Sequence, residues 1–293
     1  MYPFLLTALA PILWGSTYAA VGLYLTDLSP LWVAVFRALG AGVFLMLLLR
    51  RLPRMAMSKV VILGFFNIGV FFVLLMVAAY RLPGSVAGTL GATLPLLLIV
   101  IQWLAQGKRP AVKATLSAVV GLFGVLLLLN PSANLDPIGV ACALGATFVI
   151  AIATLLTQHW QVKDILGVAT WQLLTAGTLL IPVAWLWEGA PTMVTLEQLP
   201  GLFWLIILNT ALGYIIAVNG IKQIGPNAFG MLSLLNPMMA VALGMFLMGE
   251  TLGFWQWFGV ILIIGSLIAS NVRWRGTAVP ANVTLERQCD KAA

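Results

Sequence analysis

Charge is scarce in this 293-residue chain: Asp, Glu, Lys and Arg make up only 8% of it, against roughly 25% in a soluble domain. Histidine occurs once and cysteine twice. Cys142 sits in an apolar run and Cys289 in a polar tail, so neither a disulfide framework nor a His/Cys metal site is expected. No GxxxxGK[ST] loop is present, which argues against an ATP-driven pump. The apolar runs hold no nucleophile–base pair and no carboxylate pair, so neither an enzyme nor a cofactor is expected. A buried proton relay also lacks an obvious carrier, because no carboxylate lies at the centre of a run and His159 is at the end of one. What the chain has is apolar surface: 62% of residues are hydrophobic and the mean hydropathy is +1.07. No water-soluble core buries that much.

Runs able to cross about 30 Å of hydrocarbon need roughly 17 to 25 residues. The polar and Pro/Gly punctuation delimits ten of them: 4–25, 31–49, 58–79, 85–105, 111–129, 137–157, 166–187, 198–219, 227–248 and 254–270. Each is expected to be helical, because lipid offers no partner for unpaired backbone groups and the runs lack the alternation of a barrel strand. The expected fold is therefore an all-α integral membrane protein of ten transmembrane helices.

The basic residues test that count. With the N-terminus inside, the inner loops and tail hold Arg50, Arg51, Arg54, Lys59, Lys108, Arg109, Lys113, Lys163, Lys222, Arg273, Arg275, Arg287 and Lys291, thirteen of the fifteen basic residues. Outer connections keep only Arg81 and carry Asp27, Asp136, Glu188, Glu197 and Glu250. Both termini are thus expected in the cytoplasm. Positive clusters between apolar runs fit membrane orientation and not nucleic-acid binding.

Two stretches match when Pro95 is set on Pro237: a Gly/Pro turn opens each helix (80–85 and 222–227), proline follows, and Gly107 or Gly249 closes it. Trp14 to Tyr18 stands opposite Leu144 to Phe148, and Phe36-Arg37 opposite Trp171-Gln172. Five spans per half is an odd number, so the second half enters the membrane from the opposite side. The expected units are a first five-helix repeat (1–131), an inverted second repeat (132–272) and a flexible basic tail (273–293). Inverted repeats recur in secondary transporters with a midplane site.

In these features the chain resembles a ten-helix member of the drug/metabolite transporter superfamily with two EamA-type repeats. The resemblance rests on Trp14-Gly15-Ser16, Arg37, Pro95, Pro237, Gly249-Glu250, Gly259 and Gly265, and spans about residues 3–130 and 135–271. Lys108 departs from it, since the family usually has Glu there. The resemblance implies a bacterial inner-membrane exporter of metabolites or drugs, with amino-acid and pigment exporters among its relatives.

Several residues are candidates for function. Pro95 and Pro237 each remove a helical hydrogen bond near mid-span, at the carbonyls of Gly91 and Ser233, and such paired interruptions point to a substrate site or a gate; packing kinks are the alternative. Thr89, Thr93, Ser233 and Asn236 lie near them, placed either to bind a ligand or to join helices. Asn67, Asn209, Tyr214 and Asn219 are expected to face the bundle interior with Trp14, Thr17 and Tyr18, an aromatic wall with polar tips. Arg37 is the only basic residue within a span, and Gln172, at the matching position, is its candidate partner; anchoring and substrate contact are both open to it. Glu250, near the outer end of the ninth span, is the nearest substitute for a proton carrier, and a surface carboxylate is the favoured alternative.

The expected function is export of a small amino-acid-like, aromatic or amphipathic molecule by alternating access. A channel is the alternative class and a membrane-embedded enzyme the least supported. No obligatory protein partner is implied, and a monomer or a dimer is compatible with the small-residue motifs.

Overall fold

The computed structural model describes residues 2–107, 112–128, 135–225, 229 and 232–271. Lys108, Arg109, Asn227, Met231 and the 273–293 tail lie outside the described residues. Regular structure among the described residues is entirely helical. In the first half the helices are α1 (Tyr2–Gly15), α2 (Thr17–Tyr24), α3 (Pro30–Leu49), α4 (Met57–Gly64), α5 (Phe71–Arg81), α6 (Gly84–Gly91), α7 (Leu94–Gln106) and α8 (Val112–Leu128). The second half contributes α9 (Pro137–His159), α10 (Ile165–Glu188), α11 (Leu199–Phe203), α12 (Gly213–Ile224), α13 (Leu235–Met248) and α14 (Phe254–Asn271). A π-helical turn, Phe65–Val70, joins α4 to α5, and a second, Trp204–Leu212, joins α11 to α12.

Five continuous helices among the described residues are long and apolar enough to cross a membrane: Pro30–Leu49, Met57–Arg81, Pro137–His159, Ile165–Glu188 and Leu199–Ile224. These are the second, third, sixth, seventh and eighth expected runs. The first run is instead a bent pair, α1 and α2 meeting at 42°. The fourth is broken at Ala92–Thr93 between α6 and α7, and the others are represented by shorter apolar helices.

The main packing partners form a pattern that maps onto itself when the halves are exchanged. The pairs are α3 with α10, α8 with α14, and α6 with α13; α1 lies on α12 as α9 lies on α5. Likewise α3 contacts the second π turn and α10 the first. The α3–α10 contact is reciprocal in detail. A Cβ on Gly42 would lie 3.0 Å from Leu174, and one on Gly177 would lie 2.7 Å from Leu39. Each glycine is the slot for a leucine of the other helix, as in an isologous interface. Without aqueous surroundings to drive association, such small residues allow the backbone approach that van der Waals packing requires.

Helix ends are tied across the halves by carboxylates. The N-cap Ser29 makes no side-chain cap for α3, and Glu188 accepts from the Leu31 N–H at 3.1 Å and the Trp32 N–H at 3.3 Å instead. At the other end of the pair, Asp164 caps α10 through the Gly167 N–H and meets Arg51 at 3.5 Å. Trp32 donates its indole N–H to Gly189 and Trp171 donates to Arg51, in each case to the carbonyl beyond the partner helix's end. Asp136 caps α9 and pairs with Arg81 at 2.8 Å. Arg81 and the N–H groups of Gly139 and Ile138 together hold the Asp136 carboxyl below the usual carboxylate range.

The apolar interior of the described residues forms three clusters. The two larger gather around Val33, Phe72, Leu173 and Leu205 and around Val86, Leu90, Leu128, Val241 and Ile263, and a small one joins Val60, Leu63 and Val168.

Candidate functional site

The irregular backbone converges on one region. At the α1–α2 bend the Leu13 carbonyl escapes normal helical pairing and accepts the Ser16 hydroxyl at 2.7 Å and the Asn209 side-chain amide. Asn209 lies in the second π turn, whose wider coil turns side chains away from a regular helical register. Its Nδ2 also donates to Thr17 Oγ1 at 2.9 Å, and Thr17 donates onward to the Trp14 carbonyl at 2.8 Å. Its Oδ1 accepts from Arg37 at 2.5 Å, while Arg37 Nε donates to Thr210 Oγ1 at 2.8 Å. A guanidinium only donates, so Asn209 must present its oxygen to Arg37 and its nitrogen to α1. The Phe72 ring lies under the guanidinium at 4.4 Å. Arg37 is 4% exposed and Asn209 fully buried.

This arrangement corrects one expectation. Arg37 does not pair with Gln172; the Gln172 Oε1 accepts from Asn67 Nδ2 at 2.8 Å, in the first π turn. The two polar contacts are related by the exchange of halves: Asn67 precedes Pro95 by the same distance that Asn209 precedes Pro237. Each π-turn asparagine therefore holds the polar residue that the other half's second helix directs at it.

Tyr18 is 8% exposed and lies along the glycine face of α6. Its Cε2 would be 3.3 Å from a Cβ on Gly88, and its hydroxyl 4.0 Å from one on Gly91, next to the Ala92–Thr93 break. Any side chain at Gly88 would also strike Ala240 of α13. Gly15, at the α1–α2 bend, abuts the Asn236 carbonyl of α13. Trp14 stands edge-on to Tyr214 at 6.2 Å and to Phe229 at 6.3 Å. The Tyr18 and Tyr214 phenols are within electrostatic range of Arg37. Trp14, Thr17, Tyr18, Asn209, Tyr214 and Arg37 are thus brought together, with Asn236 at their edge.

Other expected residues fall differently. The Thr89 hydroxyl donates to the Ser85 carbonyl and the Thr93 hydroxyl to that of Leu90, both at 2.7 Å, so both hydroxyl protons are spent on carbonyls of α6. Pro95 is near the start of α7 and Pro237 is buried early in α13, so each break falls before its proline. The Ser233 carbonyl accepts the Asn236 N–H at 3.1 Å rather than standing open. The Asn236 amide, half-buried, has no protein partner among the described residues. Asn219 is exposed, whereas its neighbour Gly220 is buried and packs on Thr7.

Glu250 was not legible as a cap. Its carboxylate accepts the Gly84 N–H at 2.6 Å and the Ser85 N–H at 2.9 Å, anchoring the start of α6 from the other half. The available signal was negative: Pro83 supplies no side-chain cap for α6. Thr210, Phe72 and Phe229 were also missed, since ordinary apolar and hydroxyl residues carry no sequence mark of their partners.

Two recesses lie away from this cluster. One, about 440 Å³, sits among Tyr24, Asp27, Thr195, Glu197 and Gln198; the other, about 460 Å³, is an apolar groove between α8 and α14. Neither includes a cluster residue.

A helical bundle whose backbone breaks and polar side chains meet between two matching halves has the architecture of a membrane transporter. The chain belongs to the EamA-like transporter family, whose model matches residues 1–130 and again 137–272. It is 35% identical over 263 residues to Protein PecM of Dickeya dadantii (strain 3937), covering 88% of this chain and 89% of that protein. It is 26% identical over 269 residues to the inner membrane transporter YedA of Escherichia coli (strain K12), covering 88% and 86%. A solved crystal structure with 19% identity superposes with a TM-score of 0.65 over 92% of this chain and 96% of the other, which shows a shared fold.

Proposed function

We propose that the protein is a secondary transporter that exports a small amino-acid-like, aromatic or amphipathic molecule across the bacterial inner membrane by alternating access. Ten spans form two inverted five-helix repeats, with both termini in the cytoplasm and the substrate site at the midplane between the halves. The observation that carries the reading is the meeting of the α1–α2 bend, the second π turn and the α6–α7 break around Trp14, Tyr18, Asn209 and Tyr214. Irregular backbone at membrane depth is tolerated where it is enclosed by protein or lines a cavity, and this one is lined by aromatic rings with polar tips.

The grouping of connections onto two opposite sides has support beyond the charge count. The cross-half contacts Arg51–Asp164, Arg81–Asp136, Glu188–Leu31 and Glu250–Gly84 each join groups that the charge distribution assigns to the same side. The reciprocal pairs supply the mechanism: exchanging the packing of the two halves converts an inward-open state into an outward-open one around an unchanged centre.

Flux of labelled amino acids, aromatic cations and neutral aromatic compounds in proteoliposomes, with and without a pH gradient, tests this. Saturable flux that falls about tenfold or more in Trp14→Ala and weakens in Asn236→Ala is expected; each factor of ten corresponds to about 1.4 kcal/mol of lost interaction. Unsaturable flux, indifferent to both substitutions, would favour a channel.

A further inference from the structure

Arg37 carries a positive charge that no carboxylate among the described residues neutralises. The carboxylates of the described residues are Asp27, Asp136, Asp164, Glu188, Glu197 and Glu250, all at helix ends or in connections. Neither ion pair found among the described residues involves Arg37. Its partners are a neutral amide, a hydroxyl and a ring face, and its electrostatic neighbours are two phenols. Its third nitrogen, NH1, is buried and has no hydrogen-bond partner among the described residues. A buried charge normally has a counter-charge, because its desolvation is otherwise uncompensated.

The other half supplies an internal control. Gln172 occupies the position matching Arg37 and is linked to the π-turn Asn67 by a single neutral hydrogen bond, with 3% exposure. An amide therefore suffices to tie the second helix of a repeat to the π turn. The charge and the spare N–H of Arg37 exceed what that tie requires, and they lie within electrostatic range of Tyr18 and Tyr214, the latter in edge-on contact with Trp14.

We propose that Arg37 is the counter-charge for an anionic group, a carboxylate by chemistry, on an aromatic molecule that the protein carries. NH1 donates to the carboxylate oxygen while Nε and NH2 keep their bonds to Thr210 and Asn209. The ring of the ligand meets Trp14 and Tyr214. This rests on the transport reading and narrows its substrate class to aromatic acids and zwitterions.

The test uses matched probes: indole-3-acetate with its amide, and phenylacetate with its amide. Their binding to the purified full chain is read as a concentration-dependent Tm shift, and their flux in proteoliposomes by radiolabel. The parent is expected to bind each acid about tenfold or more tighter than its amide, the factor that a hydrogen bond to a charged group supplies. Arg37→Gln, which copies the Asn67–Gln172 tie, is expected to melt within a few degrees of the parent and to bring acid and amide within about twofold; Arg37→Lys should recover part of the preference. Equal binding of acid and amide by the parent overturns the proposal without any variant, as does an unchanged preference in Arg37→Gln. Arg37-dependent acid binding without flux upholds it and sinks the transport reading. Saturable flux of neutral or cationic compounds alone does the reverse.

Discussion

The two asparagines of the π turns occupy matching places and have different duties. Asn67 makes one bond to Gln172, whereas Asn209 bridges Arg37 on α3 to the Leu13 carbonyl and Thr17 at the α1–α2 bend. The surroundings differ in the same sense. Opposite Trp14, Ser16 and Tyr18 stand Leu144, Ala146 and Phe148 of α9, which runs unbroken from Pro137 to His159. Phe148 is 48% exposed where Tyr18 is buried. The scaffold is two-fold and the polar chemistry is one-sided: the packing is shared by the two halves, while the guanidinium network occupies only one of the two matching places.

Substitutions in the pair sharpen this comparison. Asn209→Leu strips a buried guanidinium of a partner and is expected to cost about 3 kcal/mol or more. Asn67→Leu leaves only a neutral amide unpaired and should cost about 1 to 3 kcal/mol. Unfolding of both variants in detergent measures the gap, and equal costs would break the claimed asymmetry. Gly42→Leu and Gly177→Leu are expected to lose similar stability, about 1 to 3 kcal/mol each, because the α3–α10 contact is reciprocal. A large difference between them would show that the two-fold relation is only approximate there.

Smaller effects are expected at helix ends. Glu250→Gln keeps an acceptor for the Gly84 and Ser85 N–H groups but removes the anion at the start of α6, for a loss of about 1 kcal/mol in thermal unfolding. The smallest effect belongs to the exposed Arg81–Asp136 pair. Because the Asp136 carboxyl is held below its unfolded value, its contribution is present above the unfolded carboxyl's titration and is lost as pH falls through the folded one. Asp136→Asn should therefore melt slightly below the parent at neutral pH, and the two curves should merge in acid. A gap that persists in acid would assign the difference to packing at the α9 terminus.

Hydropathy and punctuation located helices well: the expected runs 31–49 and 137–157 differ by two residues or fewer at each end from Pro30–Leu49 and Pro137–His159. The helices that carry the paired prolines are interrupted before the prolines and not at them, and the Ser233 carbonyl is taken by the Asn236 N–H. Arg37 and Gln172 were recognisable as matching positions and were wrongly paired with each other. Facing helices do bring them near one another's element, yet a guanidinium needs acceptors, and Asn209 with Thr210 supplies two at once. Thr89 and Thr93 looked available to a ligand because sequence does not reveal a hydroxyl turned back onto a carbonyl three or four residues earlier. Asn219, ten residues beyond Asn209, rotates to the opposite outcome: it is exposed where Asn209 is buried.

By itself the sequence determined the solvent in which this chain folds, the approximate limits of its helices and the correspondence of its two halves. Those properties depend on transfer of whole segments into lipid and on the spacing of proline and glycine, which neighbours barely alter. Tertiary structure decided which polar groups meet. The bend at Gly15–Ser16, the two π turns and the glycine face of α6 set how each helix is rotated and how closely it is approached. A rotation of one residue, about 100° around a helix, separates a buried network from the lipid face, and only the packed partner fixes that angle.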